Sequence, residues 1–471
     1  MNDSSDEASP KGLPPFAVRA AQAIFVAGLV VSFLLIIHSI IQLSSREKTE
    51  SNSLYYIAAT CALGAAAAFT FILRKVSDHL KVNLALLAAT ILALVYGFEV
   101  FLEFSRPTES LRPIIAKEMG VPFDDRTKME VIDDFNRSGI DAYPNFHPGH
   151  HLRSPVTRNG LESGKGKVFP LGGIANKVMV QANETGTWMT YKGDRYGFHN
   201  PDAVYEEEQV DVLLVGDSLA EGWCVQSDQN IRAVLTELGY TVVNVGKSGN
   251  GPLAELASLK EYGAPLNPTI VLWTYCYNDV YDLRKEMQSS LLMRYLQEEG
   301  FSQNLRNRQE EIDKTLIGYF HDKWAKEGRT EKELVSHNRF SRIVKLYNLR
   351  TRMNLIPTPR PNPVFKEILS ESNQLVEKWG GKMYFIPLPL FRRFATGRED
   401  ASREFVLRYA SELRIPVIDM NQDVFDHHPD PMSLFPFRTE GHYNAEGYRL
   451  VAEAIAKRLE SDGVAPSKFV E

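Results

Sequence analysis

Cysteine is nearly absent: Cys61, Cys224 and Cys276 are the only 3 among 471 residues. Three thiols, one of them in an apolar run, exclude a disulfide framework. An excess of positive charge is also lacking. Lys and Arg number 53 against 59 Asp and Glu, a formal net charge of -6. Nothing here points to nucleic acid as a partner. Zinc-site spacing is missing as well. His147, His150 and His151 cluster, as do Asp426, His427, His428 and Asp430. Neither set follows a ligand pattern of the usual kind, and both read as polar surface loops. No metal and no organic cofactor is expected.

What the chain does have is apolar sequence at its start. Ala20 to Leu43, Leu54 to Leu73 and Leu84 to Leu102 are three runs long enough to span a bilayer. A cleaved signal peptide has a shorter apolar core and no such successors. Tyr55 and Tyr56 suit a membrane interface. Glu99 sits near the end of the third run, where it can reach water or headgroups, with a buried functional carboxylate as the other reading. Three spans put the termini on opposite sides. Lys11, Arg19, Arg74, Lys75 and Lys81 share the side of the N-terminus, against Arg46, Lys48 and Arg106 on the other. The positive-inside rule therefore predicts a cytoplasmic N-terminus and an extracytoplasmic remainder.

The predicted organisation is a polar cytoplasmic tail (1–19), a membrane domain (20–104), an ordered apron (105–206), an α/β domain (207–462) and a short tail (463–471). In the apron, Val131 to Phe135 reads as a helix, with short strands at Val168 to Leu171 and Val178 to Gln181. From Val210 onward, strands and helices alternate. Strands are predicted at Asp211–Val215, Thr241–Val245, Thr269–Tyr275, Lys382–Ile386 and Pro416–Ile418. Helices are predicted at Asn230–Leu238, Leu253–Tyr262, Pro363–Trp379 and from the cap Asn444 through Leu459. Such alternation implies a parallel sheet with helices on both faces. A charged insertion at 281–362 carries a helical pattern from Asn304 to Trp324. It reads as a lid or wall of a cleft, or as a plain solvated hairpin.

Chemistry-bearing residues gather at the predicted strand ends. The first strand runs through Val215 and Gly216 into Asp217-Ser218, a serine in a tight turn. Asn244-Val-Gly-Lys-Ser-Gly-Asn-Gly251 follows the second strand. Trp273-Thr-Tyr-Cys-Tyr-Asn-Asp279 ends the third. Glu440-Gly-His-Tyr-Asn-Ala-Glu-Gly447 precedes the last helix. Ligands bind at the carboxyl ends of strands in open α/β sheets. A serine, a histidine base, a free glycine N–H and an asparagine amide are what acyl transfer needs.

Through these four blocks, residues 207–462 resemble the SGNH (GDSL) hydrolase superfamily. The resemblance implies a flavodoxin-like three-layer α/β/α domain with strand order 2-1-3-4-5, here preceded by three transmembrane helices. It places Ser218 as nucleophile and His442 as base. The Ser218 and Gly249 N–H groups and the Asn278 amide would form the oxyanion site. Cys276 stands where the third block usually has glycine. The acid usually lies three residues before the histidine, where this chain has Thr439. Glu440 is the expected substitute, with Asp430 as the alternative. Asp217 is expected to brace the serine turn. Cys224 and Cys276 are expected as separate buried thiols.

This spacing, and Lys192-Gly-Asp-Arg-Tyr-Gly-Phe-His-Asn-Pro201, look like membrane-anchored bacterial members linked to surface polysaccharide. The expected activity is hydrolysis of acyl esters, acetyl among them, on a carbohydrate. O-acyl transfer to a sugar and a catalytically silent glycan-binding scaffold stay open. The implied partners are the ester substrate, the lipid bilayer and polysaccharide-assembly proteins.

Overall fold

A computed structural model describes residues 13–44, 52–105, 111–327, 339–353, 361–397, 400–439 and 441–468. Lys11, Arg46, Lys48, Arg106 and Glu440 lie outside the described residues. The chain divides into two compact units: Met1–Arg106 with Leu334–Leu355, and Pro107–Glu333 with Ile356–Glu471.

The first unit contains three long helices, α1 (Pro15–Ser44), α2 (Asn52–Lys75) and α3 (Asp78–Phe104). Each is long and apolar enough to cross a membrane, with mean hydropathies of 2.7, 1.9 and 2.2 over the spans. Their outer faces expose Ile37, Phe71 and Leu94 by more than half, an apolar exterior suited to lipid. The helix α1 starts at Pro15, earlier than the predicted tail boundary. Proline is tolerated there because a first-turn N–H has no helical partner to lose.

Glu99 differs from its expectation of reaching water or headgroups, for it is fully buried. The reason lies in the insertion, part of which belongs to this unit. There the short helix Tyr347–Arg352 presents unpaired N–H groups at its start. The Glu99 carboxylate accepts from the Asn348 and Leu349 backbones and from the Asn348 amide, each at 2.8 Å.

The second unit is built on a four-stranded parallel sheet. Its strands are β4 (Val212–Val215), β5 (Val242–Asn244), β6 (Ile270–Tyr275) and β7 (Lys382–Pro387), in the order β5-β4-β6-β7. A small sheet of β1 (Ala142–Pro144), β2 (Val178–Val180) and β3 (Thr190–Lys192) precedes it. Side chains alternate across the four-stranded sheet as the strand period requires. Leu213, Val215, Val243, Val271 and Trp273 point to one core, with helices Pro252–Ser258, Pro363–Lys378 and Arg403–Glu412. Val212, Leu214, Val242, Ile270 and Leu272 point to the other, with Ile231–Glu237 and Ala445–Ser461. The result is the three-layer α/β/α arrangement. The order of its first four strands is the expected 2-1-3-4.

Two predicted strands shrink to single bridges. Pro416–Ile418 is reduced to the bridge between Phe385 and Val417. Pro416 has no N–H to donate, and Asp419 caps a helical turn immediately afterwards. Val168 pairs only with Leu161, for Pro170 interrupts that ladder. The apron helix is longer than read, Lys128–Arg137, and starts at a reciprocal Thr127–Glu130 capping box.

The apron shares the first core through Phe146, Leu161, Val168, Phe169 and Phe198. The first half of the insertion does the same. Leu292, Tyr295, Leu305, Ile312 and Leu316 are buried there, so this part is a packed layer and not a solvated hairpin.

Helix Ile231–Glu237 shares a core with β4 and β5, and its cap is testable. Asn230 Oδ1 accepts the Ala233 N–H at 2.9 Å. Asn230→Ala should lower the urea-unfolding free energy of the second unit by about 1–2 kcal/mol, without changing the denaturant slope.

Candidate active site

The strand β4 runs into Gly216, where a Cβ would fall 1.8 Å from Thr274 Oγ1 on the neighbouring strand. Only glycine lets the chain turn this close to β6. Asp217 then caps the turn, its Oδ1 accepting the Leu219 N–H at 3.0 Å, and Ser218 opens a helical turn ending at Glu221. The Ser218 hydroxyl is thus held at the carboxyl end of the sheet.

His442 lies just before the cap of the last helix, and its Nε2 is 2.8 Å from Ser218 Oγ. The carboxylate at the other side of the ring is Glu184. Both of its oxygens lie 3.3 Å from His442 Nδ1, and Oε2 also accepts the His442 backbone N–H at 2.9 Å. Arg112 stands 3.4 Å from the same carboxylate. Burial opposes ionisation of Glu184, but the hydrogen bonds and charge of His442, with Arg112, outweigh it and bring the group down to about 2. The acid position was expected at Glu440, outside the described residues. The alternative Asp430 is ion-paired with Arg438 on the surface, and Thr439 donates its hydroxyl to Pro436 O at 3.0 Å.

The oxyanion candidates follow three neighbouring strands, Ser218 after β4, Gly249 after β5 and Asn278 after β6. Gly249 follows β5 with φ +77°, and among the described residues neither its N–H nor that of Ser218 is paired. Asn278 Nδ2 donates to Asp217 Oδ2 at 2.9 Å and reaches Asp282 Oδ2 only at 3.4 Å. One of its two hydrogens is therefore well held, and the other is loosely engaged. Asp217 thus braces both the serine turn and the asparagine.

The Gly249 loop is positioned by a buried ion pair. Lys247 and Glu221 have no exposed side-chain surface and meet at 2.8 Å. Glu221 Oε2 accepts the Ser248 N–H at 2.8 Å. Lys247 Nζ also donates to Asn145 Oδ1 at 2.8 Å and Tyr191 OH at 2.6 Å, both from the apron. Burial disfavours the Glu221 carboxylate, yet the Lys247 charge overrides this and holds it at about 2. The Lys192–Pro201 stretch adds a second staple. Asn200 donates to Asn244 O and accepts from Asn244 N, each at 2.8 Å.

His147 and His151, read as surface loop residues, pack inward. His147 Nδ1 is 3.3 Å from Ser248 O, and its ring stands between those of His150 and Trp223. Burial drives its titration down to about 3, so the ring is neutral and its Nδ1–H donates to that carbonyl. Of the second acidic and histidine cluster, Asp426 and His427 are exposed and His428 and Asp430 half-buried, and Asp426 pairs with Arg393.

Cys224 and Cys276 are free and buried. Among the described residues, the group able to offer three metal-type donors is Glu184, Cys224 and His442, within 4.8 Å. Burial keeps the Cys224 thiol protonated, and Glu184 and His442 are engaged with each other.

The sequence from 214 to 450 matches the GDSL-like lipase/acylhydrolase family. The chain belongs to that family. It is an ester hydrolase of the GDSL type, and its three N-terminal helices suit membrane anchoring. No curated protein matches its sequence. Among solved structures, this GDSL hydrolase is similar to an acetyl xylan esterase (14% identity, 53% of this chain and 100% of that one, TM-score 0.31). It is also similar to a lipase/acylhydrolase from Enterococcus faecalis (12%, 55% and 100%, TM-score 0.30). A third is an alpha/beta hydrolase enzyme from the metagenome of Lake Arreo, Spain (14%, 55% and 97%, TM-score 0.31). These scores are low, and membership rests on the sequence match.

Glu184 was missed because it stands alone in a turn just after β2. It is far from His442 in sequence, and no motif marks it. Its depressed titration has a consequence for stability. A carboxyl lowered from 4.5 to about 2 on folding stabilises the fold fully above its ordinary pKa. That contribution is lost as pH falls through the folded value. The melting-temperature advantage of the parent over Glu184→Gln should be constant above pH 4.5 and narrow as pH approaches 2. A gap independent of pH would show that the carboxylate charge is not what the fold uses.

Proposed function

We propose that this GDSL hydrolase is a membrane-anchored serine esterase that removes acyl groups, acetyl among them, from a carbohydrate. Ser218 Oγ attacks the ester carbonyl while its proton passes to His442 Nε2. Glu184 takes the part expected of Glu440: it holds the Nδ1–H tautomer and stabilises the imidazolium. The Ser218 and Gly249 N–H groups and the loosely engaged hydrogen of Asn278 receive the oxyanion. Each such donor is typically worth ~10²–10³ in turnover. His442 then returns the proton to the leaving alcohol, and water repeats the sequence on the acyl-serine.

The observation that carries this reading is the line from Glu184 through His442 to Ser218 Oγ, with its 2.8 Å final step. The carbohydrate half rests on the likeness of Lys192–Pro201 to membrane-anchored surface-polysaccharide members. An extracytoplasmic catalytic unit rests on the distribution of basic residues about the three spans. The active-site test is a fluorophosphonate probe combined with p-nitrophenyl acetate turnover. Ser218→Ala should abolish labelling. Glu184→Gln should lower turnover by roughly 10²–10³, less than the ~10⁴ of a deeply buried protease triad, while Asp430→Asn stays within a few-fold. Exchange of the last two results would remove Glu184 from the mechanism. Acyl release that depends on an added oligosaccharide would favour transfer over hydrolysis.

Orientation is tested separately. An alkaline phosphatase fusion after Glu471 should be active and one at Ser77 inactive. The reverse would put the catalytic unit in the cytoplasm.

A further inference from the structure

We propose that residues 339–353, from the second half of the insertion, form a surface that rests in the headgroup layer of the bilayer and takes anionic phospholipids.

The segment is fastened to the end of a membrane-crossing helix. Besides the three bonds to Glu99, the Asn348 amide donates to Glu103 at 2.7 Å, and Arg342 Nε stands 3.3 Å from that carboxylate. The Arg339 guanidinium lies 5.7 Å over the Phe104 ring, and Tyr96 OH reaches Val344 O at 3.4 Å. All of these α3 groups belong to its last turns. At ~1.5 Å rise per residue, Glu99 lies roughly 7 Å along the axis from Phe104. Amphipathic helices rest at a similar depth, roughly 5–10 Å into the headgroup and acyl boundary.

What the segment turns outward is apolar and basic together. Phe340 is 70% exposed and Met353 63%, and Val344 and Tyr347 are exposed as well. Phe340 and Val344 follow helical spacing, i and i+4, and Tyr347 opens the next helix after the turn at Leu346. Water is a poor neighbour for these exposed apolar side chains. Lys345, Arg350 and Arg352 are exposed and make no ion pair among the described residues. The segment contributes Arg339, Arg342, Lys345, Arg350 and Arg352, against the two α3 carboxylates Glu99 and Glu103. The surplus positive charge can pair with the phosphates of anionic phospholipid headgroups.

The occupant that satisfies both the apolar and the basic groups is a leaflet containing anionic phospholipid, at the end of the bilayer where α3 terminates. The insertion thereby gives the chain a second hold on the membrane, and the polypeptide passes between its two units three times.

The test uses the full chain in vesicles, with Cys61→Ser as background. A nitroxide is placed at Phe340→Cys or Val344→Cys. Both positions are exposed, so the label leaves the contacts of Asn348 intact. Collisions with oxygen, which concentrates in lipid, are compared with collisions with a water-soluble nickel chelate. Oxygen should dominate at both positions. The depth should increase from phosphatidylcholine vesicles to vesicles that also contain phosphatidylglycerol. The combined Lys345→Glu, Arg350→Glu and Arg352→Glu variant should lose that increase. Nickel dominating at both positions in both vesicles would place the segment in water and overturn the proposal. Equal depth in the two vesicle types, or a triple variant that behaves as its parent, would overturn the choice of anionic lipid.

Discussion

The buried pair of Lys247 and Glu221 is the contact on which the catalytic unit depends. Glu221 closes the nucleophile turn, and Lys247 opens the loop that carries Gly249. The other hydrogen bonds of the ammonium group go to Asn145, Tyr191 and, at 3.5 Å, Gly197 O, all of the apron. A charge buried this deeply is tolerable only when its partner and its hydrogen bonds are all in place. The three pieces are therefore obliged to assemble together. The Glu221 carboxylate also takes the Ser248 N–H, which orients the backbone leading to Gly249. A preorganised donor of this kind costs no rearrangement when charge develops on a substrate oxygen.

The same logic explains why the apron is not a linker. Its aromatic residues complete one face of the sheet, and Asn200 is tied to both backbone groups of Asn244. Glu184 comes from this apron. It reaches the His442 ring from outside the sheet domain. Its distance from Ser218 in the chain is irrelevant once the apron is packed. What matters is that Arg112 and the His442 backbone N–H hold the carboxylate in register with the ring.

The membrane unit obeys a related rule with different means. A carboxylate on an apolar helix is expensive unless satisfied. Glu99 is satisfied by the start of the Tyr347–Arg352 helix, which itself needs an acceptor at its N-terminus. Each end solves the problem of the other. The pairing draws a piece of the insertion into the first unit.

The amino-acid sequence by itself determined most of the elements and their kind, though the strands read at Val168–Leu171 and Pro416–Ile418 are single bridges. The three apolar runs, the β-branched strands and the glycine and asparagine punctuation of the helices are local signals, and local sterics and hydrophobic periodicity read them directly. Ser218, Gly249, Asn278 and His442 could be named as candidates because the four blocks that carry the family resemblance contain them. Glu184, the inward turn of His147, the burial of Glu99 and the division of the insertion between two units were decided only by tertiary structure. Those features depend on which distant groups meet. Such meetings are set by long-range packing and by the need to pair buried charge, and neither leaves a period or a spacing in the chain.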